Sequence, residues 1–545
     1  MASLTHSPER QKELGAFYTP EAMATKLVDW AIRDPGDTVI DPSLGGYVFL
    51  ELAKQRLSAL GHDHKASPGA VYGVDMDEEA LRVAREDEGL DDVTLLHSDF
   101  FRLNPDALPK FTANVGNPPY IRYQSWGSVN SSAHSIAETM GVKLTRLSSI
   151  WAPFVLHGCR FLAFGGRLAQ VLPAEILHAQ YARPVTEYLT RAFREVTIAV
   201  FDERTFPGAL EEVVLLFADG YEHGPAPGIG MVSARDVGAL DLTGIDGKGR
   251  GYFSPQLALL RVLPRSTQRL YERLARHECV RALGDVANVD IGAVTGANDF
   301  FIRTREEVVS RGFAPELFKT VVSKASDVPG ARLSGGDIAR LESQARKTEL
   351  LATNGHSAQE LASIAVLLAE GEQLGLPQRY KCRIRSRWWS IPLPKHGAPD
   401  AFLTYMSHTN PRLVNNEAGA LSTNTIHNVS VSEEISSPAL CVAFYNSLTL
   451  LSAELVGRSY GGGILKLEPS EAERLLIPSF ERSLGRLLPR VDTLLRQGEL
   501  EAVLDLVDPL VLAPLGLRQA DILGLRAARH KLFARRRARS KKSTP

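Results

Sequence analysis

The chain is poor in cysteine and has no long apolar run. Its 545 residues include four cysteines, Cys159, Cys279, Cys382 and Cys441, far apart in sequence. That number and spacing exclude a disulfide framework and a Cys-x-x-Cys metal site, so the four read as buried or incidental thiols. No stretch of about 18 apolar residues occurs, which excludes an ordinary membrane-spanning helix. The opening residues MASLTHSPERQKELG lack the apolar centre of a secretory signal, so a cytoplasmic protein with no membrane partner is expected. Net charge is only −1, and 44% hydrophobic with 23% charged residues are globular proportions, which excludes a largely disordered chain. The small net charge hides an asymmetry. Residues 526–545 carry nine Lys and Arg and no acid, which leaves the first 525 residues with ten more acids than bases. A basic tail on an acidic body suits a polyanion partner, although a solvated, frayed end is the simpler reading.

What is present has an order. Short apolar runs at 37–43, 70–76, 93–99, 112–119, 166–173, 195–202 and 212–219 read as strands, and helical patterns such as EEALRVARED (78–87) separate the early ones. That rhythm predicts an α/β fold, a doubly wound and mostly parallel sheet. The last two strands are joined by a short connection and are expected as an antiparallel pair at its edge. The Gly/Pro-rich stretch GYEHGPAPGIG (220–230) reads as a domain boundary. The expected organisation is a leader at 1–14, a catalytic domain at 15–222 and a connector at 223–280, with a helix at 266–277. An α+β domain follows at 281–480, containing a polar helical insert at 336–374 and a strand from Gln378. Residues 481–545 form a helical segment with the basic tail.

The chemistry gathers at strand ends, where open α/β sheets bind ligands. The fourth strand runs into Asn117-Pro118-Pro119-Tyr120. Two prolines stiffen the turn, so that the Asn117 side-chain oxygen and the Pro118 carbonyl can face one amino group. Accepting both its hydrogens leaves the nitrogen lone pair free to attack, and Tyr120 offers a face for a planar base. Alone, such a turn is only a stiff loop. Here the first strand ends in Asp41-Pro42-Ser43-Leu44-Gly45, whose glycine allows close backbone approach. The second ends at Asp75, placed to accept from ribose hydroxyls, and the third at Asp99-Phe100, an acceptor and an aromatic suited to adenine. Upstream, Tyr18-Thr19-Pro20 precedes an amphipathic helix and can close over a ligand.

These residues resemble the S-adenosylmethionine-dependent DNA adenine-N6 methyltransferases, and more narrowly the gamma-ordered group of bacterial restriction–modification systems. The resemblance covers the first 220 residues motif by motif. It implies a Rossmann-like class I methyltransferase sheet followed by a target-recognition domain. It also implies that Tyr18, Thr19, Pro20, Asp41, Pro42, Gly45, Asp75, Asp99 and Phe100 bind S-adenosylmethionine. Asn117, Pro118, Pro119 and Tyr120 are the implied catalytic group, with Phe206 packing against a base flipped out of the duplex. One departure stands out: Tyr47 occupies a loop position where the group usually has glycine.

In the second half, Arg379, Lys381, Arg383, Arg385 and Arg387 alternate with Tyr380, Cys382, Ile384 and Trp388. On a strand the five cations share one face about 6–7 Å apart, a phosphate track on DNA or else a solvated edge. Ser407 to Asn410, Asn415, Asn416, Asn424, His427 and Asn428 are base-reading candidates or turn formers. The expected partner is double-stranded DNA. With about fourteen residues ahead of the first motif, any cognate restriction endonuclease is expected to be a separate protein. No metal site is expected. The alternative reading is a methyltransferase acting on protein glutamine or on RNA, families that share the Asn-Pro-Pro-Tyr motif. A non-catalytic specificity protein is disfavoured by the intact Asn117, Pro118 and Tyr120.

Overall fold

The computed structural model describes residues 19–65, 67–121, 130–145, 148–177, 179–203, 212–245, 255–356, 358–394, 397–460 and 463–538. The chain forms two compact units, one on residues up to Val262 and the other on Leu263–Ser459 with Gly463–Arg536.

The first unit is built on eight strands: β1 (Val39–Asp41), β2 (Val71–Asp75), β3 (Thr94–His97), β4 (Phe111–Gly116), β5 (Leu162–Pro173), β6 (Phe193–Phe201), β7 (Val213–Tyr221) and β8 (Ile229–Ala234). Their order in the sheet is β3-β2-β1-β4-β5-β7-β6-β8. The first five are mutually parallel; β7 is antiparallel to both β5 and β6. Both faces are covered, so the strands are apolar on both sides. In β7, Val213, Leu215 and Phe217 join one core with Val39, Val71 and Val115, whereas Val214, Leu216 and Ala218 join the opposite core with Trp151 and Leu168. Helix α1 (Glu21–Ala31) opens at Pro20, carries Glu21 in its first turn, and buries Met23, Leu27 and Trp30 at helical spacing. Helices α2 (Val48–Leu60) and α3 (Glu78–Arg85) follow β1 and β2.

All seven expected strands are present, and the doubly wound α/β class holds. The boundary at 222 does not. β8 pairs in parallel with β6, Val196 against Ile229 through Phe201 against Ala234. The Gly/Pro-rich stretch is therefore a turn inside the catalytic unit. Left-handed Gly220 and Glu222 reverse the chain so that β8 can extend the sheet.

The second unit opens with α4 (Arg265–Leu274). Its larger sheet has the order β9-β15-β12-β14-β10, for β9 (Ala287–Ile291), β10 (Arg332–Leu333), β12 (Ala401–Thr404), β14 (Leu413–Asn416) and β15 (Ile426–Val431). The short strand β13 (Met406–Ser407) pairs with β16 (Ile464–Lys466). The expected helical insert begins as α5 (Gly335–Ser343) but is interrupted by strand β11 (Lys347–Leu351), four of whose five residues are buried. The C-terminal segment is helical as expected, with α6 (Ser447–Val456) upstream of it, then α7 (Leu488–Arg496), α8 (Leu500–Val511) and α9 (Gln519–Ala538). It belongs to the second unit's core. Asp492 of α7 accepts from the Ala331 and Arg332 amides at 2.9 and 3.1 Å. Nor is α9 a frayed basic end. Arg529 and Arg536 are buried, and Arg526 pairs with Asp505 and Asp508. Among the described residues no single helix is long and apolar enough to cross a membrane.

Candidate active site

The strand order reverses between β1 and β4, and their carboxyl ends lie side by side with that of β2. Ile40 pairs with Asn114, and Asp41 with Gly73. The loop after β1 is fixed from both neighbours. Asp41 Oδ1 accepts from the Ser43 amide at 3.0 Å, Val74 O accepts from the Leu44 amide at 3.0 Å, and Asp75 Oδ2 accepts from the Gly45 amide at 3.0 Å. Gly45 sits at φ +50°, where a side chain is costly. Gly116, at the end of β4, is required for another reason: a Cβ there would lie 2.8 Å from Asp41 Oδ1. Asp41 is completely buried, so its carboxyl shapes the loop and its contact with β4. Burial pushes that carboxyl up to about 7, and neighbouring Asp75 adds to the effect against the Ser43 amide. Burial likewise raises Asp75, whose Oδ1 accepts from the Asp77 amide at 2.9 Å.

Asn117 is held at two points. The Ser43 hydroxyl donates to its carbonyl oxygen at 3.1 Å, and the Tyr120 hydroxyl lies 2.6 Å from its Oδ1. The same hydroxyl is 3.0 Å from Val171 O on β5. Asn117, Pro119 and Tyr120 are partly exposed, whereas Pro118 and Pro42 are buried. The strand ends thus bring Asn117 and Tyr120 together with the Asp41–Gly45 loop and Asp75.

The other sequence-derived candidates fall differently. Asp99 is partly exposed, and its Oδ1 accepts from the Phe101 amide at 3.0 Å, capping a single 3-10 turn. That turn sends Phe100 inward, which corrects its expected place beside an adenine ring. The Phe100 side chain is buried, stacked on Phe161 at 5.2 Å and against Phe154 at 4.8 Å. Thr19 and Pro20 lie partly exposed at the start of α1. Tyr18 and Phe206 lie outside the described residues. Tyr47 is buried at φ +50° and caps α2, so it packs under the loop. One residue that holds the site was missed, Ser43, a single hydroxyl with no motif of its own; Met76, 61% exposed directly after Asp75, was not singled out either. The signal for Met76 was an apolar residue at a strand end bordered by acids.

The expected strand of cations from Gln378 is not a strand. Gly375 at φ +67° and Pro377 start a turn, and Tyr380–Arg383 form one helical turn. The apolar partners decide this. Cys382, Trp388 and Trp389 all pack on the cluster of Phe300 and Phe301, which a period-two strand cannot deliver. Arg379, Lys381, Arg383 and Arg387 remain exposed. Arg385 turns inward, donating to Val294 O at 2.6 Å, Thr295 O at 2.7 Å and Trp388 O at 3.1 Å. Of the loop candidates, His408, Thr409 and Asn424 are exposed, and Ser407, Asn410, Asn415, His427 and Asn428 are buried. Asn416 closes a turn, bonding Pro399 O and both backbone groups of Ala420.

The sheet order and the loops at its carboxyl edge define a class I methyltransferase. Residues 4–187 match the model of the N-6 DNA methylase family, and residues 259–512 match the C-terminal domain of the Type II methyltransferase M.Eco57I. The Type II methyltransferase M.XamI of Xanthomonas campestris pv. amaranthicola is 26% identical over 515 residues, covering 88% of this chain and 89% of that one. The Type II methyltransferase M.AccI of Acinetobacter calcoaceticus is 20% identical over 482 residues, covering 86% of each. Among solved structures, the Type IIL restriction–modification enzyme MmeI in complex with DNA shares the fold. Its TM-score is 0.56 at 11% identity, over 99% of this chain and 78% of that one. The chain is an adenine-specific DNA methyltransferase of the restriction–modification class, and its fold and family imply a reaction dependent on S-adenosylmethionine.

Proposed function

We propose that this enzyme is a gamma-ordered modification methyltransferase that binds duplex DNA, flips one adenine out of the stack and methylates its N6 amino group at Asn117. The observation that carries the reading is Asn117 itself. It stands at the switch point of the sheet, pinned by Ser43 and Tyr120, with its side-chain oxygen turned to a partly exposed tyrosine.

The residues present fit S-adenosylmethionine, which supplies an electrophilic methyl group when bound. Asp75 keeps lone pairs beyond its contacts to the Gly45, Met76 and Asp77 amides for ribose hydroxyls. Asp99 Oδ2, which faces the exposed Arg102 at 3.6 Å, is the oxygen for an adenine amino group, and Met76 offers the apolar face that Phe100 does not. Tyr18, Thr19 and Pro20 are assigned to the cofactor by the family resemblance, and Pro42 and Gly45 shape the loop. Asn117 and the Pro118 carbonyl hold the target amino group so that its lone pair is free. Pro119 stiffens the turn, Tyr120 stacks on the base, and Phe206 packs on its other side. No strong base is needed, because the proton leaves a nitrogen already made cationic by alkylation. Rate enhancement comes from positioning and fixed dipoles.

Arg379, Lys381, Arg383 and Arg387 contribute phosphate contacts from a turn, and Arg385 braces that turn from within. M.XamI and M.AccI are matched over most of their length, which supports a modification enzyme whose cognate endonuclease is a separate chain.

The test is expression in a host lacking adenine methylation, followed by single-molecule sequencing of its DNA, with Asn117→Ala as control. Methyladenine in one defined motif with the native chain, absent with the variant, is the expected result. Soluble, cofactor-binding protein that leaves no methyladenine contradicts the reading.

A further inference from the structure

The end of α9 carries a cation whose five N–H donors are all committed. Arg536 is buried against Glu454 of α6, with Nε donating to Oε2 at 3.0 Å and Nη2 to Oε1 at 2.7 Å. The same guanidinium donates to three backbone carbonyls: His408 O at 3.3 Å, Thr409 O at 3.1 Å, and Gly463 O. β13 ends at Ser407 and β16 begins at Ile464, and the strands pair Met406 with Lys466 and Ser407 with Leu465. Arg536 therefore grips both chains at the open end of that pair.

The trans peptide unit fixes what faces the other way, because its C=O and the following N–H point in opposite directions. With the carbonyls of His408 and Thr409 turned to the guanidinium, the N–H groups of Thr409 and Asn410 are turned away from it. Neither donates to another group among the described residues. The Asn410 side chain folds back, with Nδ2 on Pro411 O at 3.0 Å, while His408 and Thr409 are exposed. Two successive amides on one side, with no acceptor among the described residues, suit an anion.

We propose that the Thr409 and Asn410 amides, with the Thr409 hydroxyl and the His408 imidazole, take one phosphate of the DNA backbone, and that Arg536 is the positioning residue that turns them outward. This rests on the DNA reading above. A contact of this kind sets the register of the protein on the duplex and carries no sequence information itself.

The test measures affinity for duplex DNA by fluorescence anisotropy, affinity for S-adenosylmethionine by calorimetry, and the DNA KM. Thr409→Glu puts a carboxylate at an exposed position that no folding contact needs. The double variant Arg536→Met, Glu454→Gln removes the grip without leaving a buried charge unpaired. At least tenfold weaker DNA binding is expected for Thr409→Glu. For the double variant the loss is about tenfold, and it falls on the DNA KM rather than kcat. Cofactor affinity is unchanged in both. Native protein that binds duplex DNA while Thr409→Glu binds it within twofold overturns the phosphate site and leaves the DNA reading standing. A double variant that binds like the native chain overturns the role of Arg536. Native protein that neither binds nor methylates duplex DNA overturns both readings.

Discussion

The Tyr120 hydroxyl lies 2.6 Å from Asn117 Oδ1 and 3.0 Å from Val171 O, so one side chain ties the Asn117 amide to β5, and in the proposed reaction its ring also faces the base. Tyr120→Phe keeps the ring and removes the anchor. We predict a drop in kcat of roughly tenfold, the rate equivalent of one ordinary hydrogen bond, with cofactor affinity unchanged. Single-turnover methyl transfer measures it. Loss of cofactor binding instead would show that the hydroxyl serves the loop rather than Asn117.

Asp41 gives the fold a pH dependence of definite sign. Its folded carboxyl titrates near 7, above the ordinary 3.8, so between those values the folded state holds a proton that the unfolded chain has lost. Its contribution is therefore largest below the ordinary value and is lost as pH rises through 7. Asp41→Asn keeps the shape without the charge. Melting temperature measured from pH 5 to 8 should fall less steeply in the variant than in the native protein, and parallel curves would contradict the assignment.

Tyr47 sits at φ +50° where glycine would be unstrained, yet it is buried. The two effects oppose each other. Relief of a left-handed side chain is worth about 1–2 kcal/mol, whereas emptying the space of a buried aromatic ring costs about 3–5 kcal/mol. Packing wins, so Tyr47→Gly should destabilise the protein by roughly 2 kcal/mol. Denaturant unfolding reads this directly, and a stabilised variant would reverse the ranking.

Arg385 and Arg383 are two positions apart and do different work. Arg385 braces three carbonyls from inside, and Arg383 is exposed. Arg385→Ala should lower the melting temperature by several degrees, since buried carbonyls lose their donor. Arg383→Ala should leave it unchanged and weaken DNA binding in a salt-dependent way. The opposite pattern would restore the strand-like reading of this segment.

That pair also shows where sequence is a reliable guide and where it is not. The strand ends were legible because each β-forming run closes on a polar residue, and Asp41, Asp75 and Asn117 stand at or just after the carboxyl ends of β1, β2 and β4. Alternation at 379–387 misled because five cations mimic a strand face. Of the apolar residues between them only Cys382 is buried with Phe300 and Phe301, which are distant in sequence, while Tyr380 and Ile384 are exposed. β8 was hidden because glycine and proline near its start mark turns equally well inside a domain and between domains. Phe100 was misplaced because a residue after a strand end can face either way, and the capping bond from Asp99 that turns it inward is a three-dimensional fact. Ser43 acts through a single hydroxyl on a backbone carbonyl, a contact without sequence signature.

The central claim is that Asn117 makes an adenine amino group the methyl acceptor. Nucleoside mass spectrometry tests it most directly, using duplex DNA incubated with purified protein and S-adenosylmethionine bearing a deuterated methyl group. The account predicts labelled N6-methyladenine with the native enzyme and a loss of about 10²–10³-fold with Asn117→Ala. Label on cytosine, on RNA or on protein, or equal labelling by the variant, would contradict it.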